Sequence, residues 1–142
     1  MLRTILSASE NFCIHQLRVP YEVEDGVSQK RTLIAYIDID TKESQKYRVY
    51  IASDEPFMQK ISYLFIEEEK SDEETLIDMT LETANLIIGS AKVIAEEEDK
   101  NPYTINTPHF EKIGVFDFEY ETAKTLKIED GELTIAIKEL HE

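Results

Sequence analysis

The sequence predicts an α/β or α+β domain in which helices cover one face of a sheet. A helical apolar period opens the chain. Two alternating stretches joined by a short polar loop follow, and two more helical stretches then precede a run of strands. At 142 residues there is room for one domain, spanning 1–142, with a sizeable core. Hydrophobic residues make up 42% and only four glycines and four prolines occur, which is a globular composition rather than a disordered or repetitive one.

Residues 2–17 carry helical spacing, with Ile5, Leu6, Phe12, Cys13 and Leu17 available for one apolar face. "RTLIAYIDID" (31–40) alternates, placing Leu33, Ala35, Ile37 and Ile39 on one side, and "KYRVYIA" (46–52) matches it with Tyr47, Val49 and Ile51. The polar "TKESQ" between them predicts a hairpin. A helix then runs to about Glu67, with Ser53 or Asp54 as N-cap and Pro56 in the first turn, where a missing N–H costs little.

Ser71 and Glu74 have the S-x-x-E spacing of a capping box and open a long helix over 72–97. Asn101-Pro102 signals its stop. The remainder reads as strands at 103–110, 115–122 and 132–139, with Glu129-Asp130-Gly131 as the last turn.

The net charge of −15 argues against a nucleic-acid partner, because phosphates reward clustered Lys and Arg. It serves solubility, and it suits any protein partner that presents a basic surface. No apolar run is long enough to cross a membrane, and "MLRTILSASENF" is interrupted by polar groups too early for a secretory signal. One cysteine, Cys13, excludes an internal disulfide framework. These features predict a cytoplasmic protein.

Familiar catalytic motifs are missing. The sequence has no P-loop, no G-x-G-x-x-G and no G-x-S-x-G. His15, His109 and His141 lack the short spacing of a helical metal-ligand pair, and the acidic runs lack the glycine and spacing of a calcium loop. No bound metal or cofactor is expected.

One arrangement asks for explanation. On the long helix, Asp78, Glu82, Asn85, Gly89 and Lys92 recur at i, i+4, i+7, i+11 and i+14, which stacks them along one line. Beside them Ile77, Leu81, Ala84, Ile88, Ala91 and Ala95 form an apolar line. Asp78 and Glu82 are like charges one turn apart, and no basic residue at position 79, 85 or 86 relieves Glu82. Asn85 is a poor interior helix former, and Gly89 costs about 1 kcal/mol relative to Ala. Local stability disfavours this stripe. The plain reading is a polar outer face with an incidental glycine.

Pro108 points further. Asp78, Glu82, Asn85 and Pro108 fit the spacing D/S-x3-E-x2-N-x22-P. In this the chain resembles the CheC/CheX/FliY phosphatases of bacterial chemotaxis, and "ETANLIIGSAK" looks like that family's E-x-x-N-x-x-x-G stretch, including Gly89. Only one such motif occurs, so the chain is most similar to the CheX type, although Ser90 stands where Asn often follows the glycine. The resemblance implies an α+β fold, with long helices on one face of an antiparallel-rich sheet.

It also implies a function: hydrolysis of the aspartyl phosphate on a CheY-type receiver domain. Carried over, Glu82 salt-bridges a receiver lysine and Asn85 orients the attacking water. Asp78 and Gly89 belong to the partner-binding surface, and Pro108 is a structural member of the motif. The receiver supplies the Mg2+. The resemblance implies a homodimer joined through sheets, for which 115–122 and 132–139 are suited strands. Two other readings stay open: a non-catalytic relative that binds a receiver or a flagellar-switch component, and an unrelated acidic interaction domain.

Overall fold

The computed structural model describes residues 2–11, 18, 20–41, 45–97, 103–129 and 131–140. Among the described residues, three helices, α1 (Leu2–Asn11), α2 (Glu55–Ile66) and α3 (Glu73–Glu97), accompany seven strands. These are β1 (Glu22–Asp25), β2 (Arg31–Thr41), β3 (Lys46–Asp54), β4 (Tyr103–Ile105), β5 (His109–Val115), β6 (Thr122–Ile128) and β7 (Gly131–Leu140). Every pairing is antiparallel, in the order β1-β6-β7-β3-β2-β4, with β5 also pairing with β2. This is the expected α+β architecture.

The β2–β3 hairpin has the register that alternation predicts: Ile39 faces Tyr47, Ile37 faces Val49 and Ala35 faces Ile51. Extending the ladder, Val49 faces Ile137 and Ile51 faces Ile135 on β7. These inward residues meet Ile5 and Ala8 of α1, Phe57, Met58 and Ile61 of α2, and the buried face of α3 in one core. Full burial of an aliphatic side chain of this size contributes roughly 1.5–3 kcal/mol. The helices therefore lie on one face of the sheet.

The opposite face holds a smaller cluster of Ile34, Tyr50, Ala52, Phe116, Ala123 and Ala136. Tyr50 is its hub, edge-on to Phe116 at 5.3 Å and stacked on Phe118 at 5.0 Å between ring centroids. Where this cluster ends, Arg48 forks onto Asp38 at 2.7 and 3.0 Å and lies 4.0 Å over the Tyr36 ring. The fork and the stacking both use the planar guanidinium.

Several expected elements are corrected. Residues 115–122 do not form a strand: 116–121 cross the far face instead, because Phe116 and Phe118 gain more by packing on Tyr50 than by extending the sheet. The 103–110 strand is split at 106–108, where Pro108 has no N–H for a ladder. Asn106 bonds there to Asp38 and Asp40 of β2. β1, "EVED", is an unpredicted strand that pairs with β6 while all four residues stay exposed. The first helix is described to Asn11 only; Phe12, Cys13, His15 and Leu17 of the expected 2–17 helix lie outside the described residues, as do Asn101, Pro102 and His141.

Candidate functional site

α3 carries the candidate site, and its head is held by the chain before it. The expected capping box is not formed. Asp72, not Ser71, caps the helix, accepting the Thr75 N–H at 2.9 Å, and this bond holds the Asp72 carboxyl below its ordinary pKa. Ser71 is turned inward. Its hydroxyl donates to Glu68 at 2.9 Å and contacts the Ser62 hydroxyl closely. The Gln59 side chain clamps its backbone, donating to Ser71 O at 3.0 Å and accepting from Ser71 N at 2.9 Å. Glu67 turns the corner after α2 in the left-handed region, at φ 57°, and its N–H reaches Tyr63 O at 3.0 Å.

The body of α3 is fixed by its buried face: Leu76, Thr80, Ala84, Ile87, Ile88 and Ala91 pack inward, with Thr83 and Ala95. Of the predicted apolar line, Ala84, Ile88, Ala91 and Ala95 are buried, while Ile77 and Leu81 are only half-buried. Thr80 and Thr83 occupy core positions because each hydroxyl satisfies itself on its own helix, donating to Leu76 O at 2.8 Å and Met79 O at 2.7 Å. Sequence reasoning missed both, since a polar residue type alone does not show that its hydroxyl is already satisfied.

The polar stripe faces outward. Asp78, Glu82 and Asn85 are exposed, and Gly89 and Lys92 are half-buried further along the line. Among the described residues, the side chains of Asp78, Glu82 and Asn85 make no ion pair or hydrogen bond. A carboxylate and a carboxamide one turn apart thus project from a rigid helix with their bonding capacity unspent. Gly89 has an open surface: among the described residues nothing beyond the helix's own backbone lies within 4 Å of where a β-carbon would stand. Among the described residues, no packing contact requires a glycine at this position.

Pro108 lies half-buried in the short segment between β4 and β5, and both of those strands contact α3. It is not itself on the stripe. A pocket of about 150 Å³ opens near the head of α3, lined by Arg31, Thr32, Glu55, Ser71, Glu73 and Leu76 among others. It includes no residue of the stripe. Glu82 and Asn85 are exposed on the outer face of α3, and side chains projecting from a helix suit insertion into a concave site on a partner. Among the described residues, no group of three or more His, Cys, Asp or Glu side chains could hold a metal ion. His109 stacks on Tyr36 at 5.3 Å, on the sheet face away from the helices.

No protein-family model matches the sequence, and no curated protein matches it. Solved structures resemble it over nearly its whole length. The chemotaxis protein CheX from Vibrio vulnificus superposes with a TM-score of 0.70 at 17% identity, covering 95% of this chain and 97% of that one. CheX in the CheX–CheY–BeF3–Mg complex from Borrelia burgdorferi gives 0.67 at 15% identity, covering 96% and 97%. The FliM middle domain from Vibrio alginolyticus gives 0.52 at 9% identity, covering 97% and 89%. At these identities the likeness is one of fold. The chain has the fold of the CheX and CheC-like chemotaxis proteins.

Proposed function

We propose that this chain is a CheX-type phosphatase of the CheC/CheX/FliY family, hydrolysing the aspartyl phosphate of a CheY-type response regulator and so ending a chemotaxis signal. The observation that carries this reading is the exposed, unpartnered pair Glu82 and Asn85, one turn apart on the outer face of α3. A structure of similar fold is a complex of CheX with CheY, which supports a receiver as the partner.

In this reading Glu82 meets a lysine of the receiver and fixes the docking register. Asn85 enters beside the phosphoryl group and accepts a hydrogen bond from a water, aligning it for in-line attack. The acyl phosphate is already activated, so positioning is the main service needed, and the Mg2+ that neutralises developing charge belongs to the receiver. Asp78 lies one turn from Glu82 at the rim of the contact. The protein works in the cytoplasm, where its receiver is phosphorylated.

The test is phosphate release from a phosphorylated receiver with wild type and Asn85→Ala. Asn85→Ala is expected to fold and bind but to lose most of the acceleration. Wild type that binds the receiver without speeding release supports the second reading, a non-catalytic receiver- or flagellar-switch-binding protein.

A further inference from the structure

Gly89 is surrounded on the helix surface by the side chains at i−4, i−3, i+3 and i+4, namely Asn85, Leu86, Lys92 and Val93. With no side chain of its own, and with nothing beyond the helix's own backbone within 4 Å of where a β-carbon would stand among the described residues, Gly89 leaves a gap in the helix surface between those four positions, a shallow socket. Leu86 is 39% exposed and Val93 51%, so two aliphatic walls of the socket face outward. Seven residues apart, they share one line of the helix, next to that of Glu82. An interior glycine weakens a helix, and exposed aliphatics gain nothing in the free protein. Here they sit together.

We infer that the socket formed by Gly89, Leu86 and Val93 takes one apolar side chain from the receiver and sets which receiver docks. The inference rests on the proposed function, because the socket is continuous with the Glu82–Asn85 stripe and shares Asn85 with it. Helix geometry sets the match. The inserted side chain lies about 10 Å along the helix axis from the group that pairs with Glu82, and about 6 Å from the level of Asn85. A receiver with a polar or charged group at that distance leaves it unpaired against two aliphatic walls and is rejected. Charge recruits receivers in general, and the socket discriminates among them.

The experiment uses CheY-type receiver domains from the same genome, each activated with beryllofluoride and Mg2+ for binding and phosphorylated for turnover. Gly89→Leu fills the socket, and Leu86→Ala with Val93→Ala removes its walls. Both are expected to weaken binding of the preferred receiver about tenfold. Phosphate release from the saturated Leu86→Ala, Val93→Ala complex should stay within about threefold of wild type, since uniform binding has been removed. Gly89→Ala controls for folding, and its thermal midpoint is expected to rise by roughly 4 °C.

Equal affinity of wild type and Gly89→Leu, with wild type still releasing phosphate, overturns the socket and leaves the phosphatase reading standing. Binding without release overturns the phosphatase reading, and the socket is then decided by the Gly89→Leu affinity. Failure of wild type to bind any activated receiver overturns both.

Discussion

Gly131, the first residue of β7, lies against Phe57 of α2 so closely that a β-carbon on the glycine would stand 3.1 Å from the Phe57 backbone nitrogen and α-carbon. The atoms in the way are backbone, near the capped start of a helix, and they cannot swing aside. Gly131→Ala is expected to destabilise the protein by roughly 1–3 kcal/mol, as overpacked sites do. A denaturant midpoint equal to that of wild type would show that α2 shifts freely on the sheet.

Asp54 caps that same helix, accepting the Phe57 N–H at 3.0 Å, while Lys30 reaches its carboxylate at 3.4 Å. Burial is the largest influence on the carboxyl and raises its pKa above 3.8, against the opposing hydrogen bonds and Lys30. A carboxyl whose pKa is raised by folding contributes stability below 3.8 that is lost as pH climbs through the shifted value. Asn at this position keeps the cap without the charge. Asp54→Asn is therefore expected to gain on wild type as pH rises through that window, and Asp54→Ala to lose about 1 kcal/mol by losing the cap. Thermal melts at several pH values check it; wild type gaining on Asp54→Asn over the same rise would reverse the sign.

Glu82→Lys should weaken receiver binding more than Glu82→Ala, because it meets the receiver lysine with like charge. Wild-type affinity should fall as salt rises, the pair being partly screened. Calorimetric titration at low and high salt measures both. Equal affinities for the three proteins would remove the docking pose.

A homodimer of the kind the resemblance implies, if it pairs sheet edges, uses neither of the strands that the sequence favours for it. β7 lies between β3 and β6, and 116–121 are not a strand. The edges of the sheet are β1 at one end and β4 with β5 at the other, along β2. Pairing across a two-fold axis through either satisfies exposed N–H and C=O groups. Light scattering at micromolar concentration is expected to give twice the chain mass of 16.5 kDa. A monomer would contradict the dimer and leave the chemistry of Glu82 and Asn85 untouched.

Periodic patterns were legible where one face is buried and one is not. Leu33, Ala35, Ile37 and Ile39 gave both the strand and its partner's register, and the outward line of Asp78, Glu82 and Asn85 was readable from spacing alone. Aromatic alternation misled at Phe116, Phe118 and Tyr120, because a segment crossing a sheet face can alternate much as a strand within one does. Glu129-Asp130-Gly131 reads as the last turn, and Ile128 does pair with Gly131 there, but the glycine serves the approach of Phe57 and not a positive φ, which Glu129 takes at 44°. Ser71 matched a capping motif one residue too early, since nothing local shows that Gln59 and Ser62 draw it inward. Each of these misses depends on a contact made far away in sequence.

The side chains of Glu82 and Asn85 make no hydrogen bond or ion pair among the described residues, and none of those residues crowds a β-carbon at Gly89. Folding therefore exerts no hold on these three positions. Alanine at any of them would leave the core as it is, and at Gly89 the helix would gain. In a lineage that stopped using this surface, the stripe would drift first while the sheet and the buried face of α3 stayed recognisable. Fold likeness and retained activity can part company in such a protein, and the two sets of residues keep separate histories.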